Sequence, residues 1–364
     1  MLKQGEFWMT ILGGLSLFAP LPALHSGAPK RLAIYYGYPS LVNGAAGDVE
    51  KALKAFSAYD VVVFGDGVEF ADQRPERTPP GVGAEENRKA RSIIAGLANQ
   101  HPAAKVFGYI CLGDSQKLSE QEIERRVQLW KEMGVSGIFL DEAGYDWKII
   151  DRKRQNTAVG YIHSLGLSAF PNAYYPRDLF SRENLLGKNP DHAAPVMDGR
   201  DLFLLESFQV KNGAYEEVSE WKQRVNQAVA ARAQYRSSIF AVTTNLENPP
   251  FDQQKFAYAW WSAWLYDLDG FGWGEPNFSA LGGALPDRRC TPAETMPADS
   301  QNRTTVDTDG VRFWREVGNS FVVLDTADHL VRHAPTAASA PGKAAGPKLN
   351  SPEPSQVLAC GALR

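Results

Sequence analysis

The chain has 364 residues, 44% of them hydrophobic and 22% charged, enough to bury the core of one large domain or two ordinary ones. A net charge of −4 without any basic run excludes a general electrostatic reason to bind nucleic acid. The three cysteines (Cys111, Cys290, Cys360) show neither metal-ligand spacing nor a disulfide framework, and six scattered histidines, none ending an apolar strand run, argue against a His-ligated metallohydrolase.

Residues 1–28 read as a leader. Phe7 to Leu24 is mostly apolar, follows Lys3 and is broken by Pro20 and Pro22, which suits a secretory signal with Ala23 as a cleavage position better than a membrane span. Glu6 and the thin basic flank leave two alternatives, an unprocessed anchor and a misassigned start. With the leader removed, no stable membrane span is expected, and the protein is expected to be secreted or periplasmic.

Lys30 to Ser40 forms a first strand ending in aromatics, and Asp48 to Phe56 has helical spacing. Tyr59 to Gly67 is a β-branched second strand closing on Asp66, followed by a helix over Ala84 to Asn99. Lys105 to Asp114 is the third strand. Ser119 with Glu122 three residues on is a capping box, opening a helix that buries Ile123, Val127 and Trp130 and stops at Gly134. The fourth strand, Gly137 to Asp146, is a short apolar run ending in two adjacent carboxylates, Asp141 and Glu142. Trp147 to Leu165 is helical in period. Leu167 to Pro176 is strand five, ending in Asn172, Tyr174 and Tyr175. Asp201 to Val210 is strand six, interrupted by Glu206, and a long helix covers Tyr215 to Arg236. Ser237 to Glu247 is strand seven, running into Asn245. The aromatic helix Phe251 to Tyr266 precedes strand eight, Phe271 to Phe278.

Eight strand signals alternating with seven or eight helical ones, about 30 residues apart, predict a (β/α)8 barrel of the TIM type over residues 30–285. A doubly wound open sheet is the runner-up, lowered by the absence of a GxGxxG or phosphate-loop signature. Residues 286–333 form a loop and a β-hairpin around Gly318-Asn319, packed on the barrel. The Pro/Ala/Ser/Gly-rich stretch 334–364 is expected to be disordered.

In such a barrel the strand ends share one rim, where catalytic groups sit. That rim would carry Asp66, Asp114, Asp141, Glu142, Asn172, Glu206, Asn245 and Trp273, joined by Tyr36, Tyr109, Tyr174 and Tyr175. Carboxylates, amides and aromatics without Lys or Arg suit polyhydroxylated neutral or cationic substrates better than phosphates. Glycosidic cleavage needs one carboxyl group to protonate the leaving oxygen and one to attack C1 or activate water. Strands four and six lie two apart, with neighbours about 4.8 Å from each other, so Asp141 and Glu206 are the favoured pair. Adjacent strand residues face opposite sides. Asp141 is therefore taken as the inward nucleophile or base, and Glu142 as a substrate-binding or supporting acid. Apolar company at Leu205 and Phe208 would raise the Glu206 pKa as a general acid requires, the alternative being an ion pair with an Arg. Asp66 and Asp114 are read as substrate hydrogen-bonders or strand caps, and Tyr109 as barrel filling or a sugar contact. Trp273 is read as a stacking platform or core, and Trp260, Trp261 and Trp264 as core.

The YDVVVFGDG strand, the GYI of strand three and the GIFLDE block together resemble the spherulin-4-like proteins. They are also similar to the wider set of endo-α-1,4-polygalactosaminidase-type glycosidase barrels. The resemblance covers about Arg31 to Trp273 as an ordered series of strand motifs. It implies a (β/α) barrel acting on polysaccharide, with Asp141 (beside Glu142) and Glu206 as functional positions. The tryptophan-rich last helix and the C-terminal hairpin depart from it, which leaves the substrate open.

The leading expectation is a glycoside hydrolase without cofactor or metal, acting on a carbohydrate polymer such as an amino-sugar exopolysaccharide. Two alternatives stand beside it. One is a non-catalytic glycan-binding barrel, favoured by a carboxyl separation well beyond about 9.5 Å. The other is an aldolase- or isomerase-like barrel holding a metal through acids such as Asp114 and Asp141.

Overall fold

The computed structural model describes residues 28–72, 81–247, 250–290, 306–317, 320–335 and 356–357. The leader expected over 1–28 thus lies almost wholly outside the described residues, as does most of the tail expected over 334–364.

Eight short parallel strands make the centre: β1 (Lys30–Tyr35), β2 (Val61–Phe64), β3 (Lys105–Cys111), β4 (Gly137–Asp141), β5 (Ser168–Pro171), β6 (Leu202–Leu205), β7 (Ser238–Val242) and β8 (Gly270–Gly272). They pair in the order 5-4-3-2-1-8-7-6, and a parallel bridge from Asn172 to Leu204 joins the two ends of that row. The sheet is therefore closed, a (β/α)8 barrel rather than an open doubly wound sheet.

Every barrel strand is buried on both faces, which is why each reads in sequence as an unbroken apolar run. Alternate residues divide between two cores. Ile34, Val63, Phe107, Phe139, Phe170, Leu204 and Phe240 fill the barrel interior, whereas Ala33, Val62, Ile138, Ala169 and Phe203 join the outer core under the helices. Inside, Phe170 contacts the rings of Phe107 and Phe139 at 5.3 Å and Phe240 at 5.8 Å, all edge-on.

The helices are α1 (Val49–Phe56), α2 (Ala84–Gln100), α3 (Glu120–Met133), α4 (Arg152–Ser164), the single turn α5 (Pro176–Phe180), α6 (Val218–Tyr235) and α7 (Gln253–Leu265). Helix α3 is N-capped by Ser119, whose Oγ accepts from the Glu122 amide at 3.1 Å, while the Glu122 carboxylate, expected to complete a capping box, pairs with Arg125 and Arg126 instead. It stops at Gly134, whose φ of +88° suits a residue without Cβ. Its Trp130 fits against β3 only because residue 108 is glycine: a Cβ there would lie 2.0 Å from the indole. The helix expected from Trp147 begins five residues later, since residues 144–150 form a turn held by Asp114. Among the described residues β8 is followed by a single 3-10 turn, Pro276–Ser279, rather than by a helix. The loop beyond it closes the gap, with Gly283 O accepting from the Asn43 amide at 2.9 Å and Pro286 O from Tyr59 OH at 3.1 Å.

The C-terminal appendage is a five-stranded antiparallel sheet: β9 (Asp307–Thr308), β10 (Arg312–Val317), β11 (Ser320–Asp325), β12 (Leu330–Pro335) and β13 (Gln356–Val357), in that order. The expected hairpin is its β10–β11 pair, with Val317 opposite Ser320 and the turn residues outside the described set. Within the stretch read as a disordered tail, Ala334 and Pro335 continue β12, and Gln356–Val357 pair with it. The sheet packs on the barrel's outer helices through Phe313 on Trp221 (4.9 Å) and Arg315, which lies over Trp264 (4.0 Å) and donates to Leu265 O at 3.2 Å. Cys290 is disulfide-bonded, which corrects the expectation of no disulfide framework. Cys111 is a buried free thiol.

Candidate active site

Inward parity continued one step past the barrel interior places five side chains at the mouth. Tyr36 follows Ile34, Tyr109 follows Phe107, Asp141 follows Phe139, Asn172 follows Phe170 and Glu206 follows Leu204. Asn172 sits between the two acids. Its Nδ2 donates to Asp141 Oδ1 at 2.9 Å and to Glu206 Oε2 at 2.6 Å, which caps the separation of those two oxygens at about 5.5 Å. Asp141 also accepts from Tyr109 OH at 2.8 Å and from the Glu142 amide at 3.0 Å. The Tyr36 ring stands edge-on to Tyr109 at 5.4 Å.

The electrostatics follow from burial. Desolvation raises the pKa of Asp141, opposed by its hydrogen bonds from Asn172, Tyr109 and the Glu142 amide. Desolvation also raises Glu206, reinforced by the charge of Asp141 and opposed by Asn172 and Arg224. Tyr36 is pushed well above the usual phenol range by burial and then by Asp141, Glu206 and Asp66. The feared ion pair at Glu206 does not form: Arg224 donates to its backbone carbonyl (2.7 Å) and its carboxylate stays turned to the mouth.

The other rim residues have different partners. Glu142 does not face the mouth. With φ of +55° its side chain turns to the loop after β3, where it accepts from the Ser115 amide (3.0 Å) and hydroxyl and from the Cys111 thiol at 3.4 Å. Asp114 accepts the amides of Lys148 and Ile149 at 2.9 and 3.1 Å, so it staples the β3 loop to the β4 loop rather than presenting a group to a ligand or metal. Asn245 is buried and donates to Gly274 O at 2.6 Å, an internal strut. Trp273 points outward from β8 and packs edge-on against Phe251 (5.4 Å) and Phe256 (5.9 Å). It helps line a cavity of about 360 Å³ with Tyr59, Trp260 and Arg288, on the outer face of β8 and β1 and away from the carboxylates. Tyr174 leans over Arg224 (4.3 Å) and donates to Glu216 at 3.3 Å.

Asp66 sits at the margin of the mouth, accepting from Gln116 and from Arg126 Nη1 at 3.0 Å. Burial lifts its pKa to about 6. Behind it, Glu69 has a fully buried side chain 3.8 Å from Arg126, and burial and then the charge of Asp66 lift it to about 8. A carboxyl that holds its proton to about pH 8 when folded, but releases it near pH 4.5 when unfolded, makes the fold lose stability as pH rises through that window. Glu69→Gln should therefore melt close to the wild type at pH 5 and several degrees above it at pH 8. Calorimetry at the two pH values checks this; parallel shifts at both would refute it.

Sequence reading missed the two arginines behind the acids. Arg126 occupies a core position of α3 between Ile123 and Trp130, and Arg224 a core position of α6 between Trp221 and Ala228. An arginine on the apolar face of a helix was the available signal, because burying guanidinium demands a nearby acceptor. Among the described residues, one trio has metal-ligand proximity, His163, Asp198 and Asp201, with ligand atoms within 4.8 Å. It stands at the entrance to β6, where Asp201 already accepts from the amides of Ala169 (2.8 Å) and Asp198 (2.9 Å).

Fold and mouth together define a (β/α)8 barrel with a carboxylate pair, bridged by an amide, at its carboxyl-end rim. No family model matches the sequence, and no curated protein matches it. Solved structures of similar fold include a glucosidase from Croceicoccus marinus (13% identity, 85% of this chain and 76% of that one, TM-score 0.45). Another is TsXylA, an intracellular xylanase from Thermoanaerobacterium saccharolyticum (11% identity, 70% and 89%, TM-score 0.42), and a third is 2,3-dimethylmalate lyase (12% identity, 71% and 78%, TM-score 0.37). At these identities and TM-scores the likeness bears on neither substrate nor chemistry.

Proposed function

We propose that the protein is a glycoside hydrolase acting on a polysaccharide, with Glu206 as general acid and base and Asp141 as nucleophile. The observation that carries this reading is the pair itself: two inward carboxyl groups, one ending β4 and one just past β6, held by one amide with the bridged oxygens no more than about 5.5 Å apart. That closeness of the facing oxygens favours direct attack on C1, for which the carboxyl groups stand about 5–5.5 Å apart, over a separation of about 6.5–9.5 Å that seats a water between acid and base. It also disfavours a rim that only binds glycan.

The division of roles follows from the environments. Asp141 receives three hydrogen bonds that favour its anion, the form that attacks. Among the described residues the Asn172 amide is the one donor to the Glu206 carboxylate, and the charge of Asp141 lies next to it, so Glu206 is the better keeper of a proton. Asp141 Oδ would attack C1 while Glu206 gives its proton to the leaving oxygen. Glu206 would then take a proton from the water that frees the sugar from Asp141.

The cations nearest the mouth are engaged by protein groups: Arg126 by Asp66, Arg224 by Glu216, Lys211 by Tyr174. The ionised Asp141 at the mouth favours neutral or ammonium-bearing sugars, such as those of an amino-sugar exopolysaccharide, over anionic ones. Export fits the disulfide at Cys290, since such bonds persist in oxidising compartments. Among the described residues no helix is long and apolar enough to cross a membrane.

Reducing-end release from a panel of polysaccharides, deacetylated amino-sugar polymers included, tests the activity. Binding to a polymer with no cleavage of any would favour the glycan-binding alternative. Proton NMR of freshly cut product tests the spacing argument: the anomer released first should retain the configuration of the bond cleaved. First appearance of the opposite anomer would remove Asp141 as nucleophile.

A further inference from the structure

We infer that Arg224 is a positioning residue for Glu206, bracing the tip of β6 and supplying a fixed positive charge behind its carboxyl group. The inference rests on Glu206 being the general acid. Arg224 is fully buried on the core face of α6, among Trp221, Val225 and Ala228. Its Nη1 donates to Glu206 O at 2.7 Å and its Nη2 to Ser207 O at 3.4 Å, so one guanidinium brackets the two peptide carbonyls that aim the acid. The same Nη2 donates to both oxygens of Glu216, at 2.6 and 2.7 Å. Glu216 lies at the end of a short ribbon (Val210–Lys211 with Ala214–Tyr215) that folds back from the strand tip.

That tip needs a brace. Directly after Glu206, Ser207 and Gln209 take φ values of +56° and +67°, the left-handed region that side-chain-bearing residues adopt only when surroundings impose it. Both are buried. The ribbon is anchored in turn by Lys255 Nζ donating to Gly213 O at 2.8 Å, and by Tyr215 stacked at 3.7 Å on His329, in the turn between β11 and β12.

The second role is electrostatic. The groups facing Glu206 are Asp141 at the end of β4, Asp146 in the loop after it, Tyr36 just past β1, Asn172 just past β5 and Arg224 on α6. The acids hold its proton on, and Arg224 opposes them. Losing Arg224 should therefore raise the pKa of Glu206 and carry the alkaline limb of kcat/KM to higher pH.

Two variants separate the roles. Arg224→Lys keeps the charge and loses the two-carbonyl bracket. Arg224→Met combined with Glu216→Met removes the buried pair together, so that no lone charge is stranded in the core. In protein labelled with [13C]glutamate, the Glu206 resonance is the one absent from Glu206→Gln. It should titrate at higher pH in the double variant and near the wild-type value in Arg224→Lys. In turnover, the double variant should lose kcat on the order of 10²-fold with KM nearly unchanged, through misplacement of the acid. Arg224→Lys should restore the alkaline limb without restoring full kcat. A double variant with native circular dichroism, wild-type Glu206 titration and wild-type kcat would overturn the inference. If the wild type itself cleaves no glycan, the NMR titration still decides the role of Arg224, and only the hydrolase reading falls.

Discussion

Asp141→Asn and Glu206→Gln are each expected to lower kcat by about 10²–10⁴-fold on any polysaccharide the wild type cleaves, the range for removing a positioned acid, base or nucleophile. Both changes keep the volume of the side chain, and Asn172 can still meet an amide oxygen at either position, so circular dichroism and melting temperature should stay near wild type. The two variants should differ with an activated aryl glycoside, whose leaving group departs without a proton. Glu206→Gln should then recover much of the rate of the first step, whereas Asp141→Asn should not, since no leaving group substitutes for the attacking oxygen. Near wild-type turnover in both variants would remove the pair from the chemistry. Equal and full recovery of both on the activated substrate would exchange or dissolve the assigned roles.

The largest expected effect on stability lies two residues below the bridging amide. Phe170 is fully buried and meets Phe107, Phe139 and Phe240 inside the barrel. Phe170→Ala should cost about 3–5 kcal/mol from lost burial and the cavity left behind, equivalent to a fall in melting temperature on the order of 10 °C. Phe170 is also the residue on which Asn172 stands along β5, so the cavity lies directly beneath the carboxylate pair. Below the lowered melting temperature, kcat should fall as well, because the amide that joins Asp141 to Glu206 loses its support. A loss under about 1 kcal/mol in calorimetry would mean that the interior rings do not hold the barrel as described.

The barrel was legible because its cause is local. Continuous apolar strands, the Ser119 N-cap and the Gly134 stop each act over a few residues, and eight repeats of strand then helix leave few ways to pack. What could not be read in general was which parity faces inward, taken for Asp141 over Glu142 but undetermined on the other strands. A strand buried on both faces presents apolar residues at odd and even positions alike, so nothing local distinguishes Phe139 inside the barrel from Leu140 outside it. Inward parity separates Tyr36, Tyr109, Asp141, Asn172 and Glu206 from Glu142 and Trp273, which stand one residue out of phase. Asp114 and Asn245 escaped for another reason. Polar residues just past a strand end serve loop amides and carbonyls as often as ligands, and which they serve depends on where the next loop passes.

Composition and the order of short patterned runs were thus sufficient for a closed barrel with acids on its rim, since hydrophobic periodicity and helix caps are properties of neighbouring residues. The meeting of Asp141, Asn172 and Glu206, and the arginines standing behind Asp66 and Glu206, come from chain closure. They depend on register and on which face of each helix turns inward, and those are set by contacts between residues dozens of positions apart, to which no short stretch of the chain bears witness.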